Sequence, residues 1–228
     1  MSSPHLITPL LTTQVTFAVK HHIPIVAKSG GHSPWSTVAS PGWIIDLSLF
    51  TGVKLDTQKH TATVQAGVGT KQLNAAVSEA GFCIQSPGAS TVGYIPFLLG
   101  GGSTWLTGMY GLAVDNLISA RVITATRGLV TASASENADL FWALKGAGQF
   151  FGLVTAVTAQ IFPLEQKITA WTCIFLPAQM KDVAKVVAAL ANGDDSAKSP
   201  GMAAVLAAPG QTKVDLFLPS YKCYPFGS

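Results

Sequence analysis

Ala27-Lys28-Ser29-Gly30-Gly31-His32-Ser33-Pro34-Trp35-Ser36 is the stretch on which the reading of this chain turns. An apolar, β-branched run from Ile23 to Ala27 precedes it and predicts a strand, and the glycine, proline and serine crowded into Ser29 to Gly42 predict a loop. Backbone without side chains can approach an anion closely and turn its N–H groups toward it. His32, with glycines on its N-terminal side, stands where a ligand held by this loop could reach it. A second glycine-rich region, Ser86 to Thr104, holds Gly93, Pro96 and the triplet Gly100-Gly101-Gly102. Two such loops suit a pyrophosphate, and ordinary turns would use the same residues; both readings stand on composition alone. The familiar phosphate motifs fail. No G-x-x-x-x-G-K-[ST] is present, and Trp105 occupies the last glycine position of a G-x-G-x-x-G built on the triplet.

Outward from these loops, periodicity predicts a helix over Thr12 to His21 and strands at Gly42 to Leu47 and Thr61 to Ala66, with a turn at Thr57 to His60. A helix follows over Thr70 to Ala80, stopped by Gly81, then a short strand at Phe82 to Gln85 and a helical piece near Thr104 to Met109. Leu117 to Thr124 and Leu129 to Ser133 read as a hairpin turning near Thr126 to Gly128. Asn137 is the expected cap of a helix over Ala138 to Leu144, and Gly152 to Phe162 is a strand. After Pro163 come a strand (Ile168 to Leu176), a helix (Ala178 to Leu190, stopped by Asn192-Gly193) and strands at Met202 to Ala207 and Lys213 to Leu218. The fold class is α+β, with two small lobes in residues 1–163 and the beginning of another domain in 164–228.

Composition narrows the function classes. Of 228 residues, 48% are hydrophobic and only 11% charged, which excludes disorder and coiled coil. The mean hydropathy of +0.39 suggests apolar surface meant to be covered. Fourteen Lys and Arg against eleven Asp and Glu give +3, but the cations are scattered apart from Lys20 to His22, so nucleic acid is not an expected partner. Cys83, Cys173 and Cys223 form no C-x-x-C pair, and His5, His21, His22, His32 and His60 have no ligand spacing with them, so no metal is expected. No apolar run reaches the ~18 residues of a membrane span, and Met1 to Leu11 lacks the regions of a signal peptide. A soluble protein without a membrane partner is expected; compartment and oligomeric state are not legible.

With the opening stretch, Leu99-Gly100-Gly101-Gly102, Tyr110-Gly111-Leu112-Ala113-Val114-Asp115-Asn116, and Asp139-Leu140-Phe141-Trp142-Ala143-Leu144-Lys145-Gly146-Ala147-Gly148 followed by Gly152-Leu153-Val154-Thr155 form an ordered set. Over about residues 4 to 162 the chain resembles the PCMH-type FAD-binding domain of the vanillyl-alcohol-oxidase family, in particular fungal oxidases similar to berberine bridge enzyme and 6-hydroxynicotine oxidase. The resemblance implies two α+β lobes with FAD between them. It implies cofactor contacts from Lys28, Ser29, Gly30, Gly31, His32 and Ser33, from Ser90, Thr91, Gly93, Gly100, Gly101 and Gly102, and from Asn116, with Gly152 to Val154 along the adenine side.

His32 aligns with the histidine that many members bond to the flavin 8α-methyl group; a neutral imidazole is a competent nucleophile for that carbon. Members with a second link carry a cysteine where Ala89 and Ser90 stand, so one link at most is expected, and Cys83 reads as a core thiol. The chain departs from the pattern at Phe150, in place of an asparagine, and at Thr104, in place of a glycine. The first helix reads as short, as if residues of the first lobe were missing. By the same resemblance the chain is C-terminally truncated, with only the first β-α-β-β of a substrate domain whose remainder carries the catalytic base. Tyr221 and Tyr224 align with no catalytic tyrosine, so no catalytic residue is assigned. The implied activity is an FAD-dependent oxidoreductase oxidising a C–OH or C–N centre of a small-molecule substrate, with dioxygen as acceptor. The alternative is a truncated or degenerate domain that binds flavin weakly and catalyses nothing.

Overall fold

The structure, a computed structural model, describes residues 4–164, 169–175, 177–191, 204–206 and 214–220. Its first element, α1 (Pro4–Lys20), runs 17 residues and is not the short helix from Thr12 that periodicity suggests. Pro4 sits at the first helical position, where a missing N–H leaves no bond unmade. Leu11 extends the buried stripe of Val15 and Ala18 by one turn.

β1 (Ile25–Lys28) pairs in parallel with β2 (Trp43–Asp46), setting Lys28 opposite Asp46. A strand that sequence reading passes over, β3 (Val53–Asp56), lies antiparallel to β4 (Thr61–Gln65). Its signal is only Val53 and Leu55 packing against the core, and the turn after it closes when Asp56 Oδ1 accepts the Lys59 N–H at 2.9 Å. α2 (Thr70–Glu79) ends before Gly81, whose φ of +79° supplies the left-handed exit. β5 (Phe82–Cys83) is followed by α3 (Tyr94–Leu99), inside the region expected to be loop. Pro96 hides that helix from sequence reading, yet as its third residue it owes no intrahelical N–H bond. α4 (Thr107–Tyr110) comes next.

The hairpin forms as β6 (Leu117–Thr124) and β7 (Gly128–Ser133). α5 (Ala138–Ala147) then runs past Leu144, with Lys145 and Gly146 leaving helical geometry. Asn137 does not cap it. Held at φ +48°, its side chain instead donates to Thr131 O at 2.7 Å and accepts from Arg127 at 3.3 Å, joining the helix start to the hairpin. β8 (Leu153–Gln160) and β9 (Phe162–Pro163) complete this part, β9 pairing with β5.

A five-stranded antiparallel sheet, ordered β3-β4-β8-β6-β7, is the frame. Its central strand β8 is buried on both faces, as its apolar run Leu153, Val154, Ala156, Val157 and Ala159 requires. Leu73 and Val77 of α2, Leu98 of α3 and Leu144 of α5 lie in the same core. The chain divides into two compact units, Met1–Thr104 with Tyr110–Pro163, and Trp105–Met109 with Leu164–Ser228. In the second, β10 (Thr169–Phe175), α6 (Met180–Ala191), β11 (Ala204–Leu206) and β12 (Val214–Ser220) build an antiparallel sheet ordered β10-β12-β11. Asn192, Gly193, Tyr221, Cys223 and Tyr224 lie outside the described residues. The fold is α+β, as expected.

Leu73 is completely buried. Leu73→Ala is expected to cost about 2–5 kcal/mol in denaturant unfolding, the range for a core leucine whose cavity relaxes only in part.

Candidate functional site

The first glycine loop leaves β1 under several restraints. Leu47 N–H bonds Lys28 O at 2.8 Å, and Lys28 Nζ meets Asp46 Oδ2 at 3.1 Å across the strand pair. Asp46 Oδ1 accepts the Ser48 N–H at 2.9 Å. The Ser48 backbone, then its hydroxyl, then Lys28 hold the Asp46 carboxyl down from 3.8 to about 2. Ser29 Oγ donates to Ala66 O at 2.6 Å, and Ala66 N–H donates to Thr155 O at 3.0 Å, which ties the loop to the central strand β8.

Gly30 then meets the second glycine loop. A Cβ on Gly30 would lie 2.5 Å from Gly93 N and 2.6 Å from Thr91 O, so the two backbones touch where no side chain fits. Gly31 turns the chain with φ +70°. His32 Nε2 reaches Thr91 Oγ1 at 2.7 Å. The second loop is itself anchored: Thr70 donates to Val92 O through N–H and hydroxyl at 3.0 and 2.9 Å, Lys71 N–H to Ser90 O at 3.0 Å, and Tyr94 N–H to Val68 O at 3.1 Å. Among the described residues no protein acceptor takes the amides of Gly30, Gly31, His32 and Ser33. Four successive donors on an exposed loop can serve an anion rich in oxygen acceptors.

α3 carries this arrangement to the glycine triplet, since Gly93 caps its start and Gly100 its end. Gly101 and Gly102 have φ of +104° and +73°, and their carbonyls accept the Val114 and Ala113 amides at 3.0 and 2.8 Å. A Cβ on Gly101 would meet nothing within 4 Å, which leaves open space there. Asn116 stands just beyond, but its Nδ2 donates to Tyr110 O and Leu112 O, 2.9 Å each, so its amide shapes this loop. Gly152 has φ +145°, and a Cβ there would lie 2.6 Å from Ile123 O; close strand packing demands that glycine. Val154 is buried in the sheet opposite Val122, where its strand is paired with β6.

The structure thus joins residues 28–33 directly to 90–93, and reaches 100–102 and Asn116 through α3. Three contributors were missed in the sequence. Asp46 was signalled only by its place ending a strand two residues before Ser48. Ala66 acts through backbone, which leaves no residue-type signal. Gln85, completely buried, accepts from the Thr104 hydroxyl and donates to Gly111 O, bracing the triplet; a polar residue ending an apolar run was its one sign. Thr104 therefore has a partner that a glycine could not offer. Phe150 is 72% exposed, and burial pushes the Cys83 thiol up, away from thiolate chemistry. No group of three or more potential metal ligands occurs among the described residues, and no described helix is long and apolar enough to cross a membrane.

Comparison with known proteins identifies the family. A family model described as an FAD binding domain matches residues 11–134, and the chain belongs to that FAD-binding family. An FAD-linked oxidoreductase of Aspergillus ruber is 41% identical over 151 residues, 66% of this chain and 30% of the relative. The crystal structure of 6-hydroxy-D-nicotine oxidase from Arthrobacter nicotinovorans superposes with a TM-score of 0.80 at 28% identity, over 92% of this chain and 47% of that one. The xylooligosaccharide oxidase of Myceliophthora thermophila, solved with xylobiose, gives 0.75 at 31% identity, over 91% and 45%. The chain spans about a third of the curated relative's length and just under half of each solved chain. The cofactor of the family is FAD.

Gly30→Ala is expected to force the two loops apart, lowering unfolding free energy by about 1–3 kcal/mol and removing FAD fluorescence quenching at concentrations that saturate the wild type. Asp46 yields a pH prediction. Its carboxyl is depressed in the fold, so its stabilisation is present above pH 3.8 and is lost as pH falls through about 2. Wild type should exceed Asp46→Asn in thermal stability near neutrality, and the two melting curves should converge across that acidic window.

Proposed function

We propose that residues 1–163 form an FAD-binding domain and residues 164–228 part of a substrate domain, in a protein that oxidises a C–OH or C–N centre of a small molecule with dioxygen as acceptor. The observation that carries this reading is the unpaired amide run of Gly30 to Ser33 beside an imidazole held by Thr91. When bound, FAD supplies a hydride acceptor for the substrate carbon. The amides of residues 30–33 bind the pyrophosphate by hydrogen bonds, because the nearest cation, Lys28, is already paired with Asp46. Ser90, Thr91 and Gly93 make the facing wall, Gly100 to Gly102 leave room for the flavin, and the backbone of Gly152 to Val154 lies along the adenine. Asn116 contributes by shaping the loop after the triplet. His32 forms a single covalent link to the 8α carbon. The class of reaction rests on kinship with oxidoreductases named for a nicotine and for a xylooligosaccharide.

The alternative reading is a truncated or degenerate FAD domain that binds flavin weakly and catalyses nothing.

Acid denaturation of the purified chain separates these. Flavin absorbance is expected in the protein pellet for wild type and in the supernatant for His32→Ala. A yellow pellet from His32→Ala would refute the tether, and colourless wild-type protein supplied with FAD would refute the cofactor site. Peroxide release on adding alcohols, sugars or amines distinguishes a working oxidase from a binding domain.

A further inference from the structure

We propose that Thr91 is a positioning residue that selects Nδ1 of His32 as the nitrogen that carries the flavin. This rests on the reading that FAD is tethered through His32. The geometry is specific about the ring: Nε2 lies 2.7 Å from Thr91 Oγ1, and among the described residues no protein group pairs with Nδ1. Both residues are exposed and 59 positions apart in the chain. Water could satisfy either side chain at such a place, so the effect of the bond is to fix the ring's orientation, not to rescue a buried polar group.

The chemistry requires what a hydroxyl supplies. Before the link forms, Nδ1 needs a free lone pair, so the proton must sit on Nε2, and Thr91 Oγ1 accepts it. In the linking step Nδ1 forms a C–N bond to the 8α carbon as one C–H bond of that methyl group breaks. The methyl proton and the Nε2 proton, with two electrons, pass to the flavin ring system; dioxygen then takes both protons and both electrons as hydrogen peroxide. Nε2 ends without a proton, and the Thr91 hydroxyl rotates to donate to it. One hydroxyl serves as acceptor before the step and donor after it. Valine has the shape of threonine but can do neither, whereas serine can do both.

The backbone makes the restraint effective. Gly30 against Gly93 fixes the distance between the two loops, and the Thr91 hydroxyl then fixes the remaining rotation of the imidazole. A ring held at both ends presents one nitrogen to the ligand space.

The test uses the full chain incubated with FAD, as wild type, Thr91→Val and Thr91→Ser. It reads three things: the rate at which flavin becomes acid-precipitable, the linkage isomer in the isolated flavin peptide by NMR, and reversible FAD binding with thermal unfolding as controls. Wild type is expected to carry the flavin on Nδ1. Thr91→Val should form the tether about tenfold more slowly, the effect of losing one hydrogen bond, and should give a mixture of isomers. Thr91→Ser should restore both rate and isomer. Attachment through Nε2 in wild type overturns the proposal, as does Thr91→Val tethering at the wild-type rate on Nδ1. If Thr91→Val fails to fold, the wild-type isomer and the Thr91→Ser rate still decide. FAD bound reversibly by wild type with no tether overturns the His32 link and this role together, whereas a tether on the wrong nitrogen leaves the link standing and removes only the role of Thr91.

Discussion

Backbone against backbone at Gly30 and Gly93 is the contact on which the rest of the site depends. A methyl group at either position would strike main-chain atoms, and main chain cannot swing aside as a side chain can. Because the two loops meet at this distance, the imidazole of His32 reaches a hydroxyl on the other loop, and among the described residues the amides of residues 30–33 have no protein acceptor. The contact is local, but it is held from a distance. Ser29 to Ala66 to Thr155 links it to the central strand, and Thr70 with Tyr94 fixes the partner loop between α2 and α3.

That dependence explains why the core and the site cannot be considered apart. β8 is the strand through which the sheet's two halves are joined, and its first residues also receive the loop's anchor. α3 is only six residues long, yet it is bounded by the glycine that meets Gly30 and by the first glycine of the triplet. Burial of Tyr94, Leu98 and Leu99 holds it against the core. Gln85 performs the same service for the far end of the triplet through two polar contacts in an otherwise apolar setting, where a lost partner would leave a buried amide unsatisfied.

Much of this was legible in the sequence, and what was not has a physical reason. Glycines before a histidine after an apolar strand indicated a ligand loop, and alternation located β4, β6 and β7. Partnerships across many residues left no local mark: nothing near Gly30 says that Gly93 will touch it, and nothing near His32 names Thr91. Pro96 concealed α3 because proline reads as a helix breaker, although the first turn, where it stands here, tolerates it. β3 was concealed because a four-residue edge strand with two apolar positions carries little periodicity. Asn137 misled in a different way. Its residue type suits a helix cap, and the structure uses the same amide to hold the adjoining hairpin. The glycine at 152 could be read as a ligand position from its motif, and its φ together with the Ile123 carbonyl shows that sheet packing already requires it.

The separation of His32 from Thr91 along the chain bears on how the protein matures. The two glycine loops are held together by β1, α2 and the sheet through partners distant in the chain, contacts of the kind that carry a loop-closure cost in folding. On the proposed reading, FAD is bound by the arrangement in which both loops are in place. A ligand with that preference draws the population toward the folded form in proportion to its supply. Flavin availability during synthesis then acts on the yield of folded protein as well as on its chemistry.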